Sequence, residues 1–300
     1  MRLVTFVPKK GAAPRVGLMH GGNHLIDLTQ AGSKPPFDPA DMVSLIAAGA
    51  KGMAWLRKTA AKVKEKQALP LGKVKLLAPI PRPRKNVFCV GWNYLEHFKE
   101  GEKGRAQKVD LPEHPAFFSK VATVVNGPYD PIPYDAKVSE KIDWEVELGL
   151  IIGRGGKNIA EADAMKHVFG YTVVNDVTAR DLQRRHGGQW FKGKSTDGSC
   201  PMGPWIVTAD EVADPNDLRL TTRVNGVVKQ DSNTSCLYFK LPRIIAELSL
   251  GLTLEAGDII ATGTPAGVGH ARTPPEFMKA GDVLETEIYG VGLLRNTIGN

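Results

Sequence analysis

Apolar positions near the start of the chain alternate in short runs and then take a helical spacing. Leu3–Val7 has the pattern of a strand, and Arg15–Leu28 alternates on both sides of a Gly-Gly turn, which is typical of a β-hairpin. Helical spacing of apolar residues follows over Asp41–Ala48 and Met53–Gln67. These elements predict a small N-terminal α+β domain at residues 1–78.

A proline-rich segment at residues 79–85 reads as a stiff linker to a second, longer domain at residues 86–300. The apolar runs of this second domain are short and bounded by Gly, Pro and Asn, which favours strands. Strands are predicted at Asn86–Val90, Glu145–Ile152, Gly170–Asn175, Trp205–Thr208, Leu218–Val224, Asp258–Thr262 and Val283–Ile288. Helices are predicted at Ala160–His167, Thr178–Arg185 and Pro242–Leu250. The expected fold class is therefore α+β and β-dominated, and not a βαβ repeat.

The composition is that of a globular protein with many turns. Of its 300 residues 42% are apolar and 24% charged, and 32 Gly and 21 Pro occur without a period. No apolar run approaches the roughly 18 residues that a membrane helix needs. The N-terminus lacks the pattern of a signal peptide, and the three cysteines are too few for a disulfide framework or a zinc cluster. We expect a cytoplasmic protein without a membrane partner.

The positive charge is concentrated in one stretch. The net charge is +7, yet residues 51–86 alone contain eleven Lys or Arg and one acid, Glu65. A solvated helix face and linker explain such a stretch. Nucleic-acid binding would need aromatic residues among the basic ones, and only Trp55 is present. We therefore predict no nucleic-acid partner, although the stretch leaves open a basic rim that attracts an anionic substrate.

Three carboxylates predict a metal site. Glu145 and Glu147 are separated by one residue in a predicted strand, so their side chains lie on the same face. Asp176 follows another apolar strand and precedes a predicted helix. An exposed strand edge and a helix N-cap are the alternatives for these residues. Converging carboxylates would form an all-oxygen site suited to Mg²⁺, Mn²⁺ or Ca²⁺.

Other polar side chains are spaced for contact with a substrate. His97 and Glu100 are i, i+3 neighbours if their segment is helical, and a carboxylate beside an imidazole suits a general base; a surface ion pair is the alternative. Arg180 and Gln183 follow Asp176 on one helical face. Lys194, in a Gly- and Ser-rich segment, would stabilise a developing oxyanion unless it is an ordinary surface lysine.

A turn-rich loop at residues 262–269 follows the strand Asp258–Ala261. Exposed backbone amides in such a loop bind anions such as carboxylates. A plain connecting turn is the alternative.

Together these motifs, in their order and spacing, resemble the fumarylacetoacetate hydrolase family over about residues 85 to 295. Many members of this family carry Phe where this chain has Thr196, which predicts a different pocket wall and leaves the choice of substrate open. The resemblance rests on Cys89-Val90-Gly91 with Asn93-Tyr94, His97 and Glu100; Asp143 with Glu145-Val146-Glu147; Asn175 to Asp181 with Gln183; Lys194-Ser195 with Asp197; and Thr262 to Pro265 with Gly267-Val268-Gly269.

The resemblance implies a mixed β-sandwich roll that forms a homodimer and holds one divalent metal, Mg²⁺ or Mn²⁺, in each subunit. In this family pattern the metal ligands match Glu145, Glu147 and Asp176. The catalytic residues match His97, Glu100 and Lys194. The substrate-binding positions match Arg180, Gln183 and Thr264.

The activity that this resemblance implies is hydrolysis of a C–C bond in a small anionic 1,3-diketo acid, an acylpyruvate such as fumarylpyruvate, as in aromatic catabolism. His97, held by Glu100, would activate the water, and the departing enolate would be stabilised by the metal and Lys194. The alternative is decarboxylation or keto–enol isomerisation of an oxaloacetate-type acid at the same site, which needs no hydrolytic water. A non-enzymatic nucleic-acid binder would leave all the motifs unexplained.

Overall fold

A computed structural model describes residues 1–63, 68–101 and 110–299. The strands of these ranges are β1 (Arg2–Val7), β2 (Arg15–His20), β3 (His24–Asp27), β4 (Leu69–Pro70), β5 (Lys75–Leu77), β6 (Val87–Gly91), β7 (Ala116–Lys120), β8 (Val125–Asn126), β9 (Ile142–Asp143), β10 (Val146–Ile152), β11 (Val168–Asn175), β12 (Thr178–Ala179), β13 (Cys200–Thr208), β14 (Arg219–Val224), β15 (Val227–Asn233), β16 (Ile259–Ala261), β17 (Val283–Ile288) and β18 (Gly292–Thr297). The α-helices there are α1 (Met42–Ala47), α2 (Gly49–Ala60), α3 (Leu95–Glu100), α4 (Arg180–Arg185), α5 (Phe191–Lys194) and α6 (Leu241–Ser249).

The largest sheet has the strand order β4-β3-β2-β1-β13-β11-β10-β16-β6-β7, with β5 on β1 and β8 on β13. Its central strand β10 is buried at every position, which explains its nearly continuous apolar sequence. Leu148 and Leu150 face one hydrophobic cluster, and Ile151 faces another. The sheet is therefore covered on both faces, and polar side chains at the end of β10 are shielded from solvent.

A second, antiparallel sheet has the order β15-β14-β17-β18. Leu220, Ile288 and Leu294 from its strands join the same cluster as Leu148 and Leu150 of β10. The two sheets thus pack around a shared core, which confirms the predicted α+β, β-dominated fold class. A two-stranded ribbon of β9 and β12 pairs residues near the carboxylates.

The N-terminal segment is continuous with the large sheet. Leu3 of β1 pairs with Ile206 of β13, and both belong to one hydrophobic cluster together with Cys89 of β6. The first 78 residues therefore contribute strands and core to the rest of the chain. The prediction that residues 1–78 form a separate domain, joined to the rest by a linker at residues 79–85, stays a prediction.

Most predicted strands and helices are present with shifted ends. The hairpin of β2 and β3 is confirmed, and β17 has the predicted bounds. The helix predicted over Met53–Gln67 is wrong in both ends, because α2 spans Gly49–Ala60; residues 64–67 lie outside the described ranges. The helix predicted from Thr178 begins at Arg180, because Thr178 and Ala179 pair as a strand with β9. The segment Glu161–His167 is a 3₁₀ helix.

Basic residues of the 51–86 stretch contact acids that lie elsewhere in the sequence. Arg57 pairs with Asp210 at 3.2 Å and Lys75 pairs with Asp130 at 2.7 Å. Lys85 donates to the buried Asp258 at 3.0 Å. Within the described ranges, no helix is both long and apolar enough to cross a membrane.

Candidate active site

A polar cleft of about 470 Å³ lies where β10, α3, α4 and α5 meet the loop after β16. Side chains from distant parts of the sequence converge there because their strands are neighbours in the large sheet. Seven of the nine predicted site residues line the cleft: His97, Glu145, Glu147, Arg180, Gln183, Lys194 and Thr264. The other two, Glu100 and Asp176, contact residues of that lining.

The three predicted metal ligands form one cluster. Glu147 lies in β10 and Glu145 directly precedes this strand, so the strand period places both side chains on the same face. Asp176 directly follows β11, the antiparallel neighbour of β10, and its N–H donates to the carbonyl oxygen of Glu145 at 2.9 Å. One carboxylate oxygen from each residue lies within 4.8 Å of the others, and all three side chains are buried. Asp176 is not the cap of α4, which begins four residues later.

Buried cations surround these carboxylates. Nζ of Lys194 donates to Oε2 of Glu145 at 2.6 Å and to Oδ2 of Asp176 at 2.7 Å. Arg180 pairs with Oε1 of Glu145 at 2.6 Å. Burial alone would lower the pKa of Lys194, but the two carboxylates outweigh it and raise that pKa. Lys194 is thus held in its charged form at the end of helix α5, and because its side chain is buried it is not an ordinary surface lysine.

The triad fits a divalent cation with oxygen ligands. Burial, followed by the charges of Asp176 and Glu145, raises the pKa of Glu147 well above its usual range. Oδ1 of Asp176 is buried and forms an ion pair with Nζ of the buried Lys120 at 2.8 Å. A divalent cation among the three carboxylates would relieve this repulsion. The buried acidic cluster therefore supports the predicted metal site, while the choice between Mg²⁺ and Mn²⁺ stays a prediction.

His97 and Glu100 form the predicted pair on helix α3. Nδ1 of His97 lies 2.7 Å from Oε1 of Glu100. The other carboxylate oxygen of Glu100 accepts the N–H of Gly267 at 2.8 Å, so the carboxylate is held from two sides. This fixes the imidazole ring and directs proton transfer to Nε2. His97 lines the cleft, and Glu100 acts on the site by holding the imidazole ring of His97.

The remaining predicted residues are held by neighbours of the cleft. Nη1 of Arg180 donates to Oε1 of Gln183 at 3.1 Å across one turn of α4. The hydroxyl of Thr264 accepts a hydrogen bond from Gln230 at 2.8 Å. Thr196 lines a different cavity, of about 510 Å³, so the expectation that it changes the wall of the substrate pocket is wrong. That side chain follows α5 and lies outside the lining of the cleft.

Three buried or half-buried polar residues at the site were given no role by the sequence analysis: Asp143, which it quoted only as part of a motif, and Lys120 and His270, which it did not single out. Asp143 accepts Nε of Arg180 at 2.7 Å and the backbone N–H groups of Gly269 and His270 at 2.6 and 3.0 Å. Burial opposes its ionisation, yet Arg180 and then His270 hold the pKa of Asp143 below its usual range. The position of Asp143, two residues before Glu145, was the available signal. The sequence around Lys120 and His270 carries no such signal.

Aromatic rings form one wall of the cleft. A Cβ at Gly91 would lie 2.2 Å from the indole of Trp190, so the ring packs directly on the backbone of β6. Trp190 also contacts Trp92 and Phe118 edge to face. This apolar wall faces the charged groups of α4 and α5 and limits the access of water to them.

A buried carboxylate triad that fits a divalent cation, in a cleft with an oriented histidine, defines a class of enzyme built on a mixed β-sandwich. Residues 86–299 match the family model described as fumarylacetoacetate (FAA) hydrolase C-terminal. The chain belongs to the fumarylacetoacetate hydrolase family, as the sequence motifs predict.

Relatives of known name resemble the chain over its full length. Oxaloacetate tautomerase YisK of Bacillus subtilis is 43% identical over 294 residues, covering 95% of this chain and 96% of that protein. The mitochondrial oxaloacetate tautomerase FAHD2A of Homo sapiens is 43% identical over 300 residues, covering 99% and 91%. The crystal structure of maleylpyruvate hydrolase from Sphingobium sp. SYK-6 in complex with manganese (II) ion and pyruvate has a TM-score of 0.79 and 31% identity, covering 100% and 99%.

These relatives correct the predicted activity. The expectation of a C–C bond hydrolase acting on an acylpyruvate is wrong, because the relatives at 43% identity are oxaloacetate tautomerases, which the sequence analysis held as the alternative. The roles predicted for the motif residues suit either reaction, because both reactions pass through an enolate. The fate of that enolate depends on where water and protons reach it, which no motif encodes. The relatives likewise lend no support to a role in aromatic catabolism.

Proposed function

We propose that the protein is an oxaloacetate tautomerase, which interconverts the keto and enol forms of a short anionic 2-keto dicarboxylate. The observation that carries the proposal is the 43% identity, over nearly the whole chain, to two proteins of that name. The cleft adds chemical support, since it combines a metal-binding triad with a fixed imidazole. The protein is proposed to act as a homodimer, in the cytoplasm, on a small-molecule substrate alone.

The charge of the site suits an anionic substrate. Four buried carboxylates face three buried cations: Asp143, Glu145, Glu147 and Asp176 against Lys120, Arg180 and Lys194. With every group ionised, a divalent cation reverses the sign of the cluster and leaves it positive. A positive, partly enclosed cleft attracts a dicarboxylate and raises its local concentration.

We assign Glu145, Glu147 and Asp176 as the residues that hold Mg²⁺ or Mn²⁺. Such an ion would draw electrons from the keto oxygen of the substrate and so acidify the hydrogens on C3. Lys194 keeps a fixed positive charge beside two of these carboxylates and favours the enolate form of the substrate. Thr264, Arg180 and Gln183 would bind the substrate carboxylates.

His97 is assigned the proton transfer at C3. Its Nδ1 is held by Glu100 at 2.7 Å, which leaves Nε2 to take the proton from carbon and to return it in the reverse direction. No water is consumed in this isomerisation. Glu100 stabilises the imidazolium that forms and keeps the ring in place.

The decisive experiment follows the ultraviolet absorbance of enol oxaloacetate with Mg²⁺ and with excess EDTA. We expect metal-dependent interconversion faster than the buffer rate, and a loss of about 100-fold or more in His97→Asn. His114→Asn is the matched control, because His114 is exposed and lies outside the cleft. Metal-dependent release of pyruvate from acetylpyruvate, with no effect on the oxaloacetate enol, would contradict the proposal.

A further inference from the structure

A second histidine of the cleft is oriented by a carboxylate, as His97 is by Glu100. Nδ1 of His270 lies 3.2 Å from Oδ2 of Asp143. Because both oxygens of Asp143 accept N–H groups, from Arg180 and from the backbone of Gly269 and His270, Nδ1 carries the hydrogen of this contact. Nε2 then keeps its lone pair, and it makes no hydrogen bond within the part of the chain that the structure describes. Two imidazoles, each fixed through Nδ1, thus line one cleft.

The backbone around His270 is shaped for its contact with Asp143. A Cβ at Gly269 would lie 2.1 Å from the carbonyl oxygen of Glu276 and 2.7 Å from Oδ1 of Asp143, so only glycine fits there. The successive N–H groups of Gly269 and His270 donate to Asp143 at 2.6 and 3.0 Å. His270 is therefore positioned by its main chain as well as by its ring.

Asp143 also connects His270 to the metal-binding carboxylates. Its Oδ2 accepts Nε of Arg180 at 2.7 Å, and another nitrogen of the same guanidinium lies 2.6 Å from Oε1 of Glu145. The chain of contacts from His270 to Glu145 therefore passes through only two side chains. His270 and Glu145 both line the cleft.

Keto–enol interconversion moves one proton at carbon and one at oxygen. Resting on the proposed function, we propose that His270 is the second proton carrier, which exchanges a proton with the oxygen on C2 while His97 exchanges one with C3. Its place in the cleft lining together with Arg180 and Glu145, and its available Nε2, favour this role. A histidine that only supported Arg180 would not need to line the cleft.

The proposed step balances. Toward the enol, Nε2 of His97 takes a proton from C3, the C–H electron pair becomes the C2–C3 double bond, and the electron pair of the C2–O double bond takes a proton from protonated His270. Toward the keto form, neutral His270 takes the hydroxyl proton and protonated His97 supplies C3. Solvent water carries the proton between the two histidines after each turnover, so no further reactant is needed.

His270→Asn separates this role from a positioning role, because the amide of Asn still donates to Asp143 but cannot carry a proton. In the full-length protein with Mg²⁺, stopped-flow absorbance measures enol interconversion, and NMR in D₂O measures loss of hydrogen from C3. We expect interconversion to fall by about 100-fold, with exchange at C3 close to wild type. His97→Asn should lose both. Calorimetry with oxalate, a planar mimic of the enolate, should give wild-type affinity for His270→Asn.

Equal loss of both rates in His270→Asn, or no loss of either, would overturn the role of His270. His270→Gln provides a second variant if the first does not fold, and the same comparison applies to it. Failure of the proposed function is a separate result, because the wild-type protein would then accelerate neither interconversion nor exchange. Both hypotheses can therefore be judged from one set of measurements.

Discussion

Lys194 and Glu145 are in contact inside the protein, with Nζ of Lys194 donating to Oε2 of Glu145 at 2.6 Å. The two residues are 49 positions apart in sequence, and both side chains are buried. The same ammonium group donates to Asp176 at 2.7 Å. Because these carboxylates are also proposed metal ligands, the stability of the fold and the occupancy of the metal site are coupled through one lysine.

Lys194→Met should therefore destabilise the protein in a metal-dependent way. Removing one partner from a buried ion pair costs about 3–5 kcal/mol of unfolding free energy. We expect a loss of that size in urea unfolding with EDTA, and a smaller difference between the variant and the wild type with saturating Mg²⁺, because the metal ion replaces part of the positive charge that the variant lacks. Lys192→Met is the control, because Lys192 is exposed on the same helix. A deficit that Mg²⁺ does not reduce would contradict the coupling.

Arg180→Met should be similarly destabilising without changing helix α5, which carries Lys194. Its guanidinium contacts both Asp143 and Glu145, so the substitution leaves two buried carboxylates short of a partner. We expect a loss of about 3–5 kcal/mol in urea unfolding. Arg184→Met, on the exposed side of the same helix, should change the unfolding free energy by less than about 0.5 kcal/mol. Equal stability of the two variants would argue against a buried ion-pair network.

The metal triad was predictable because it depends on a local rule and one strand pairing. A strand period of two places Glu145 and Glu147 together. The antiparallel pairing of β10 with β11 then brings Asp176 to Glu145, and an apolar run that ends in an acid is visible in the sequence. The i, i+3 pair of His97 and Glu100 likewise needs only one helical turn.

Lys120 and His270 were not predictable, because their roles come from tertiary contacts alone. Lys120 lies in β7, a strand with no clear alternation, and lysine is ordinarily exposed. Only the fold shows that its ammonium is fully buried beside Asp176. The place of His270 depends on the close approach of Gly269 to Asp143, which is 126 residues away in sequence.

Glu147→Gln should abolish binding of Mg²⁺ while leaving the metal-free fold intact. The neutral amide removes one anionic ligand, but it also removes repulsion from the neighbouring carboxylates that raise the pKa of Glu147. We expect no heat of Mg²⁺ binding in calorimetry and a melting temperature in EDTA equal to or above that of the wild type. Glu140→Gln changes an exposed carboxylate and should bind Mg²⁺ normally. Wild-type affinity in Glu147→Gln would exclude Glu147 as a ligand.

His270 should make the stability of the protein depend on pH in the mildly acidic range. Burial lowers the pKa of His270 below 6.5; the hydrogen bond to Asp143 opposes this, and the charge of Arg180 adds to it. The unfolded chain then binds the proton more readily, so unfolding free energy falls as pH drops from about 6.5 through the pKa of the folded state. The loss cannot exceed about 1.4 kcal/mol per pH unit for one group.

His270→Asn removes this contribution and should lose less stability than the wild type between pH 7.5 and 5.5, in urea unfolding with EDTA. Glu147 titrates in the opposite sense, since its raised pKa weakens the fold as pH rises, but it is common to both proteins and cancels in the comparison. His114→Asn replaces an exposed histidine and should follow the wild-type pH dependence. If His270→Asn also followed the wild-type curve, the imidazole of His270 would titrate as freely in the folded protein as in the unfolded chain.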